Sequence, residues 1–152
     1  MIHCKNHPDG RPLDQIPVGH HKELRQCAKL LDRTVELAAL ARNSPNKTTL
    51  IWETPANRSE KGSNAYCSDL PLHSTVFETS QFRDLVSNTS NVSPWSSCTF
   101  AWCRMGSDAQ KYTQLRYTND AALALDKLNQ PRFQCNHASH KSHAGGRLPD
   151  GT

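Results

Sequence analysis

"TTLIWETPANRS", residues 48–59, is a short, nearly continuous apolar run that ends in a turn, and its reading sets the fold. β-branched and aromatic residues give "TTLIW" strand character. Because the run is continuous rather than alternating, it suits a strand covered on both faces, as in a parallel sheet. Pro55 forbids the pattern from continuing, so the strand delivers Glu53 to a turn. In an open α/β sheet the carboxyl end of a central strand borders the crevice where ligands bind. A glutamate there can hydrogen-bond an amide or ring nitrogen and, once desolvated, donate a proton. A solvated turn carboxylate is the plainer alternative.

Upstream, Leu24, Ala28, Leu31, Val35 and Ala38 step by four, three, four and three. That spacing predicts a helix over residues 20–43 with one apolar face, while Lys22, Arg25, Lys29, Asp32, Arg33 and Glu36 fall mostly elsewhere. Pro45 ends it. Downstream, residues 54–75 have no period and read as a long loop of the kind that is functional or disordered. A short helix is expected over about 80–86, with Thr79 or Ser80 as N-cap and Phe82 and Leu85 inward. "SCTFAWC" (97–103) and "TQLRYT" (113–118) each alternate, which predicts two antiparallel strands joined through "RMGSDAQKY". A last helix, "AALALDKL", follows Asn119 or Asp120 and stops before Pro131.

The order helix, strand, helix, strand, strand, helix implies an α/β fold: a partial three-layer, Rossmann-like sheet with an antiparallel edge pair. The expected organisation is an irregular arm over 1–19, a half domain over 20–130 and an irregular Cys/His tail over 131–152. A half sheet would leave "TTLIW" an open edge, so the isolated chain is expected to be poorly soluble or partly molten.

Composition narrows the function classes. The 152 residues suit one domain, and the apolar share of 36% is low enough to make the core thin. The net charge of +4 comes from scattered Lys and Arg, which permits nucleic-acid contact without arguing for it. No run approaches the ~18 apolar residues of a membrane span, and the start carries no signal-peptide pattern. An intracellular, cytoplasmic or nuclear setting is therefore expected. It makes the sequons at Asn46, Asn57, Asn88 and Asn91 accidents of composition and keeps the six cysteines reduced. Cys27, Cys67 and Cys98 read as buried small hydrophobes.

Two further constellations carry chemistry. Gly106 permits a tight turn, and Gln110, Lys111 and Arg116 supply donors suited to phosphates or base edges. Polar residues on the outside of a hairpin would look the same. In the tail, Cys135, His137, His140 and His143 could hold zinc, with Cys4 and His7 as further donors, although the spacing matches no standard zinc signature. No dinucleotide, Walker or nucleophile-elbow motif occurs.

Taken in order, "LIWETPANRS", "FETSQFRDLV", "CTFAWCRMGSDAQKYTQLRYTND" and "CNHASHKSHAGGRLPDGT" resemble the C-terminal half of a divergent DNA cytosine-5 methyltransferase-like family, found in phages, large viruses and retroelement-rich genomes. The likeness covers about residues 13–152. Glu53 and Pro55 match the family's Glu-Asn-Pro, with Thr54 in place of Asn. Cys103, Gly106, Lys111, Thr113 and Asn119 match its middle, and Cys135, His137 and His140 its end. The resemblance implies a methyltransferase fold that uses S-adenosylmethionine and a glutamate, here Glu53, that contacts a cytosine flipped out of the duplex. Thr54 and Pro55 would shape that corner, and Gln110, Lys111 and Arg116 would touch DNA. The family's glycine-containing cofactor loop and Pro-Cys nucleophile are missing from this chain; Cys4 follows His3, not a proline. The sequence therefore reads as a truncated or degenerate methyltransferase-like domain that needs a missing N-terminal half or partner chain. The alternatives are a non-enzymatic module binding nucleic acid or a partner, stabilised by zinc, and a decayed mobile-element-derived frame.

Overall fold

A computed structural model describes residues 6–46, 48–68, 70–89 and 94–137, residue 110 by its backbone alone, together with the backbone of 142–143. Helix α1 spans His21–Asn43. It stops where Pro45 dictates: Ser44 is extended, with ψ 146°. Strand β1 is Ile51–Pro55, helix α2 is Ser80–Thr89, and strand β2 is Trp95–Ala101. Strand β3 is Ala109–Gln110, β4 is Tyr112–Thr118, helix α3 is Ala122–Leu125 and β5 is Ser142–His143. The arm carries two 3-10 turns, Leu13–Gln15 and Val18–His20. Among the described residues no helix is long and apolar enough to cross a membrane.

The chain is mixed α/β, built on a three-stranded open sheet of order β1-β4-β2. The expected antiparallel pair is present, with Cys98 opposite Leu115 and Phe100 opposite Thr113. β1 departs from expectation. It runs antiparallel to β4, with Glu53 opposite Leu115, and forms one edge of the sheet. The parallel, Rossmann-like position expected for it is therefore not what these strands build. The apolar run misled because Thr48, Thr49 and Leu50 lie outside the strand and Ile51 is 57% exposed. Within β1 only Trp52 and Thr54 turn inward. Pro55 is tolerated because it closes an edge strand.

Both sheet faces are covered. On one, Phe82 of α2 packs against Trp52, Phe77 and Trp95, with ring centroids 5.1, 4.8 and 5.8 Å apart. Ala38 of α1 and Leu85 of α2 complete that cluster. Thr79 starts α2 as expected, its hydroxyl accepting from the Phe82 N–H at 3.3 Å. On the other face Cys98, Phe100 and Tyr117 pack against Leu125, Leu128 and Phe133. The expected last helix is only four residues long here, flanked by 3-10 turns over Asn119–Ala121 and Asp126–Asn129. At the start of the second turn, Asp126 accepts the buried Tyr117 hydroxyl.

The low apolar share is made up in part by threonine. Thr79, Thr89, Thr113 and Thr118 are all buried. Each satisfies its hydroxyl: Thr79 on Val76 O at 2.7 Å, Thr89 on Leu85 O at 2.6 Å, Thr113 under the Trp102 indole N–H at 2.7 Å, Thr118 under the Leu50 N–H at 3.1 Å. A satisfied hydroxyl removes most of the cost of burying it. Of the cysteines expected to be buried, Cys98 is, Cys67 is half-buried and Cys27 is exposed.

Candidate metal centre

β2 is the sheet's other edge, and side chains occupy its free backbone groups. Thr99 N–H donates to Asn129 Oδ1 at 3.1 Å, while Ser97 O accepts from Asn129 Nδ2 at 3.1 Å and Thr99 O from Gln134 Nε2 at 2.7 Å. These bonds lay residues 129–134 along the strand. Pro131, with its fixed φ, opens the 3-10 turn Pro131–Phe133 that brings Cys135 back toward the sheet. The Cys135 N–H then donates to the Tyr112 hydroxyl at 3.1 Å.

From the other direction, β2 passes directly into the 3-10 turn Trp102–Met105, which carries Cys103. Gly106 ends that turn at φ 97°, a left-handed conformation that a side chain would strain. Arg104 ties the two segments together, donating from Nε to Arg132 O and from Nη1 to Asn136 Oδ1, both at 2.9 Å.

The result is a convergence of Cys103, Cys135 and His137, whose ligating atoms all lie within 4.8 Å of one another. Cys135 Sγ is 3.8 Å from His137 Nδ1. Sulfur and nitrogen on one tetrahedral zinc would sit about 3.6 Å apart, given the usual Zn–S and Zn–N lengths. Cys103 and Cys135 are half-buried and His137 is exposed. Burial pushes the Cys103 thiol up, and the adjacent Cys135 thiol adds to the shift. Burial also raises Tyr112, against the opposing Cys135 N–H bond. Two neighbouring thiolates repel each other; a divalent cation between them removes that repulsion. Two sulfurs and an imidazole suit zinc and are poorly matched to magnesium or calcium, which prefer oxygen.

Cys135 and His137 are thus brought together as the sequence suggested, but Cys103, 32 positions upstream of Cys135, was read as part of a strand and of the family-like series, not as a metal ligand. Its signal was a cysteine at the point where alternation stops. His140 and Cys4 lie outside the described residues. His143 is described by its backbone alone, opposite Gln110 in the β3–β5 pair, and His7 is not in the cluster.

The base-contacting set divides. Glu53 sits in the middle of edge strand β1, not at the carboxyl end of a central strand. Its Oε1 meets Lys111 Nζ at 3.3 Å, and Lys111 lies 5.9 Å from the Trp102 ring centre. Thr54 points to the opposite face, 8% exposed, donating to Pro55 O at 2.9 Å. Pro55 is exposed on the Glu53 side. Gln110 forms part of β3. Arg116 stands opposite Trp52, its guanidinium 5.8 Å from the Phe77 ring, on the α1/α2 side of the sheet. Among the described side chains of the set, the structure unites Glu53 and Lys111; Gln110 is described by its backbone alone.

Comparison of the chain with protein-family models, characterised proteins and solved structures finds no match. What fold and site define is a small α/β chain with a three-residue cluster fit for a metal.

Proposed function

We propose that this chain is a non-enzymatic binding module stapled by zinc, with Cys103, Cys135 and His137 as three of the ligands and a nucleic acid as its partner. The observation that carries the reading is the convergence of two thiols and an imidazole from segments far apart in sequence. When bound, zinc supplies a cross-link between the end of β2 and the 131–137 segment. The chain's own residues prepare it: Arg104, Asn129 and Gln134 fix the backbone so that the donors need little rearrangement. Arg104, Lys111 and Arg132, on or beside the same segments, place positive charge around the site, which favours an anionic partner. The test is elemental analysis of the purified chain, with cobalt substitution to reveal thiolate ligation. Stoichiometric zinc lost in the Cys103→Ser variant supports the reading, as does DNA or RNA binding that weakens as salt rises. A metal-free chain that also fails to bind nucleic acid overturns it.

A second reading rests on the contact between Glu53 and Lys111. In it the chain is the base-recognition half of a degenerate cytosine methyltransferase-like domain, and Glu53 contacts an unpaired cytosine. Titration with cytosine-containing single strands tests it. Equal binding by wild type and Glu53→Gln removes it.

A further inference from the structure

Cys103 and Cys135 are close enough to do more than share a metal. Their sulfurs lie within 4.8 Å of each other, in the cluster that His137 completes. Hydrogen bonds hold the backbone on both sides. Trp102 N–H donates to Lys111 O at 2.9 Å, and Cys135 N–H donates to the Tyr112 hydroxyl at 3.1 Å. Arg104 bonds Arg132 O and Asn136 Oδ1 across the two segments. A disulfide needs its sulfurs about 2.05 Å apart. One step of a cysteine χ1 between staggered wells moves the sulfur by about 3 Å, so side-chain rotation is of the size that closes the gap. Both cysteines are half-buried beside the exposed His137, which gives a small oxidant a way in. Among the other described cysteines, Cys98 is buried, and neither Cys27 nor Cys67 joins the cluster.

We propose that Cys103 and Cys135 are an oxidation site for peroxide, which joins them in a disulfide and, where zinc is held, displaces the ion. The release of zinc rests on the zinc-stapled reading; the disulfide does not. One thiolate attacks an oxygen of hydrogen peroxide, the O–O bond breaks, and a sulfenic acid and hydroxide form. The other thiolate attacks the sulfenic sulfur, the S–O bond breaks, and a second hydroxide leaves as the S–S bond is made. The two sulfurs give up two electrons, and the peroxide takes up both. With neither sulfur left as a thiolate, His137 alone does not hold the ion. Zinc with two thiolates and a disulfide without zinc are both neutral, so the charge around Arg104, Lys111 and Arg132 is unchanged. The cross-link between the end of β2 and Cys135 survives in covalent form, and His137 is released.

The full wild-type chain is assayed for zinc, treated with a small excess of hydrogen peroxide, alkylated and mapped by mass spectrometry of its peptides. A Cys103–Cys135 bridge is the expected main product. Each bridge formed should release one zinc, followed with a chromogenic chelator, and dithiothreitol with added zinc should reverse both changes. The oxidised chain should melt roughly 5–10 °C above the reduced, zinc-free chain, because the bridge closes a long loop in the unfolded state. Cys135→Ser should form no bridge and carry Cys103 as a sulfinic acid instead. Zinc content before oxidation judges the metal reading, and the peptide map judges the oxidation site. A zinc-free chain that forms the bridge supports the site and overturns the staple. Peroxide that modifies Cys27 but leaves Cys103 and Cys135 as thiols overturns the proposal. So do sulfinic acids at both positions without a bridge, a main bridge to Cys27 or Cys67, and an oxidised chain that melts below the reduced, zinc-free one.

Discussion

The two ends of the sheet's α1/α2 side are held by different means. At one end Phe82 is 1% exposed and touches three other aromatic rings, with α1 and α2 closing over them. At the other, the buried residues are Ala56, Ala65, Ala101 and Tyr112, with Cys103 and Cys135 half-buried at the margin. Three alanines contribute little apolar area, and area sets the hydrophobic term. Small cores of this kind commonly rely on a metal or a disulfide. The cluster of sulfur and nitrogen donors thus sits where the packing is thinnest, and a zinc ion there would do for the strap what the rings do for the helices.

Phe82→Ala tests the ring-packed end and should have the largest effect. Removing a fully buried phenyl ring leaves a cavity among Trp52, Phe77 and Trp95 and should cost about 3–5 kcal/mol, measured by denaturant unfolding. For a chain with so thin a core, that approaches the whole stability. The strap end breaks differently. Under the zinc-stapled reading, chelation should lower stability by about 2–4 kcal/mol, the linkage expected when a ligand is present at one hundred to one thousand times its dissociation constant. Hydrogen exchange locates the change: amides of 129–137 should lose protection while those of α2 keep theirs. Equal loss across both would mean that the two ends unfold as one unit and that the contrast between them is wrong.

Where neighbours in sequence decide structure, the sequence was legible. α1 ends at Asn43 because Pro45 acts within two residues, and alternation sorted Cys98 with Phe100 and Leu115 with Tyr117 within their strands, pairs that the β2–β4 register then joins on one face. Where partners are remote, it was not. Nothing in "TTLIW" states whether its neighbour runs parallel or antiparallel; the pairing of Ile51 with Tyr117 is set across 66 positions. Cys27 was expected to be buried because free cysteines usually are, yet it is exposed. The metal cluster was half legible. Cys135 and His137 are two positions apart, but Cys103 joins them only because Asn129 and Gln134 pin a loop to a strand edge. Arg116 looked like a surface donor because Phe77, the ring beneath its guanidinium, is 39 positions away.

Between the two ends runs the 56–79 loop, and His73 sits within it. Its Nδ1 accepts the Arg58 N–H at 3.2 Å, and its carbonyl accepts the Ser59 hydroxyl at 2.7 Å. Burial, then the Arg58 charge, hold His73 below its usual value, with Glu78 opposing. The unfolded chain therefore takes up this proton first as pH falls. Stability from His73 is complete above its ordinary value near 6.5 and declines below it, until the folded form protonates as well. Unfolding midpoints should drop between about pH 7 and pH 5. His73→Asn, which keeps an acceptor but does not titrate, should flatten that drop. An unchanged slope would place the pH sensitivity elsewhere.

The smallest effect on stability is expected at Glu53 and Lys111. Their side chains are 49% and 43% exposed, so water screens the pair and the contact is worth at most ~0.5 kcal/mol. Lys111→Met or Glu53→Gln should leave the unfolding midpoint nearly unchanged, and added salt should erase what difference remains. That indifference makes the pair informative. A substitution that leaves the fold intact isolates any loss of nucleic-acid binding as a loss of contact. Under the zinc-stapled reading Lys111 is one of several positive groups around the site, so Lys111→Met should weaken binding alike for all sequences and Glu53→Gln should not weaken it. Under the base-recognition reading Glu53→Gln should weaken cytosine-containing strands selectively. The two substitutions, measured on the same strands, decide whether the corner at Glu53 reads a base or only borders a basic surface.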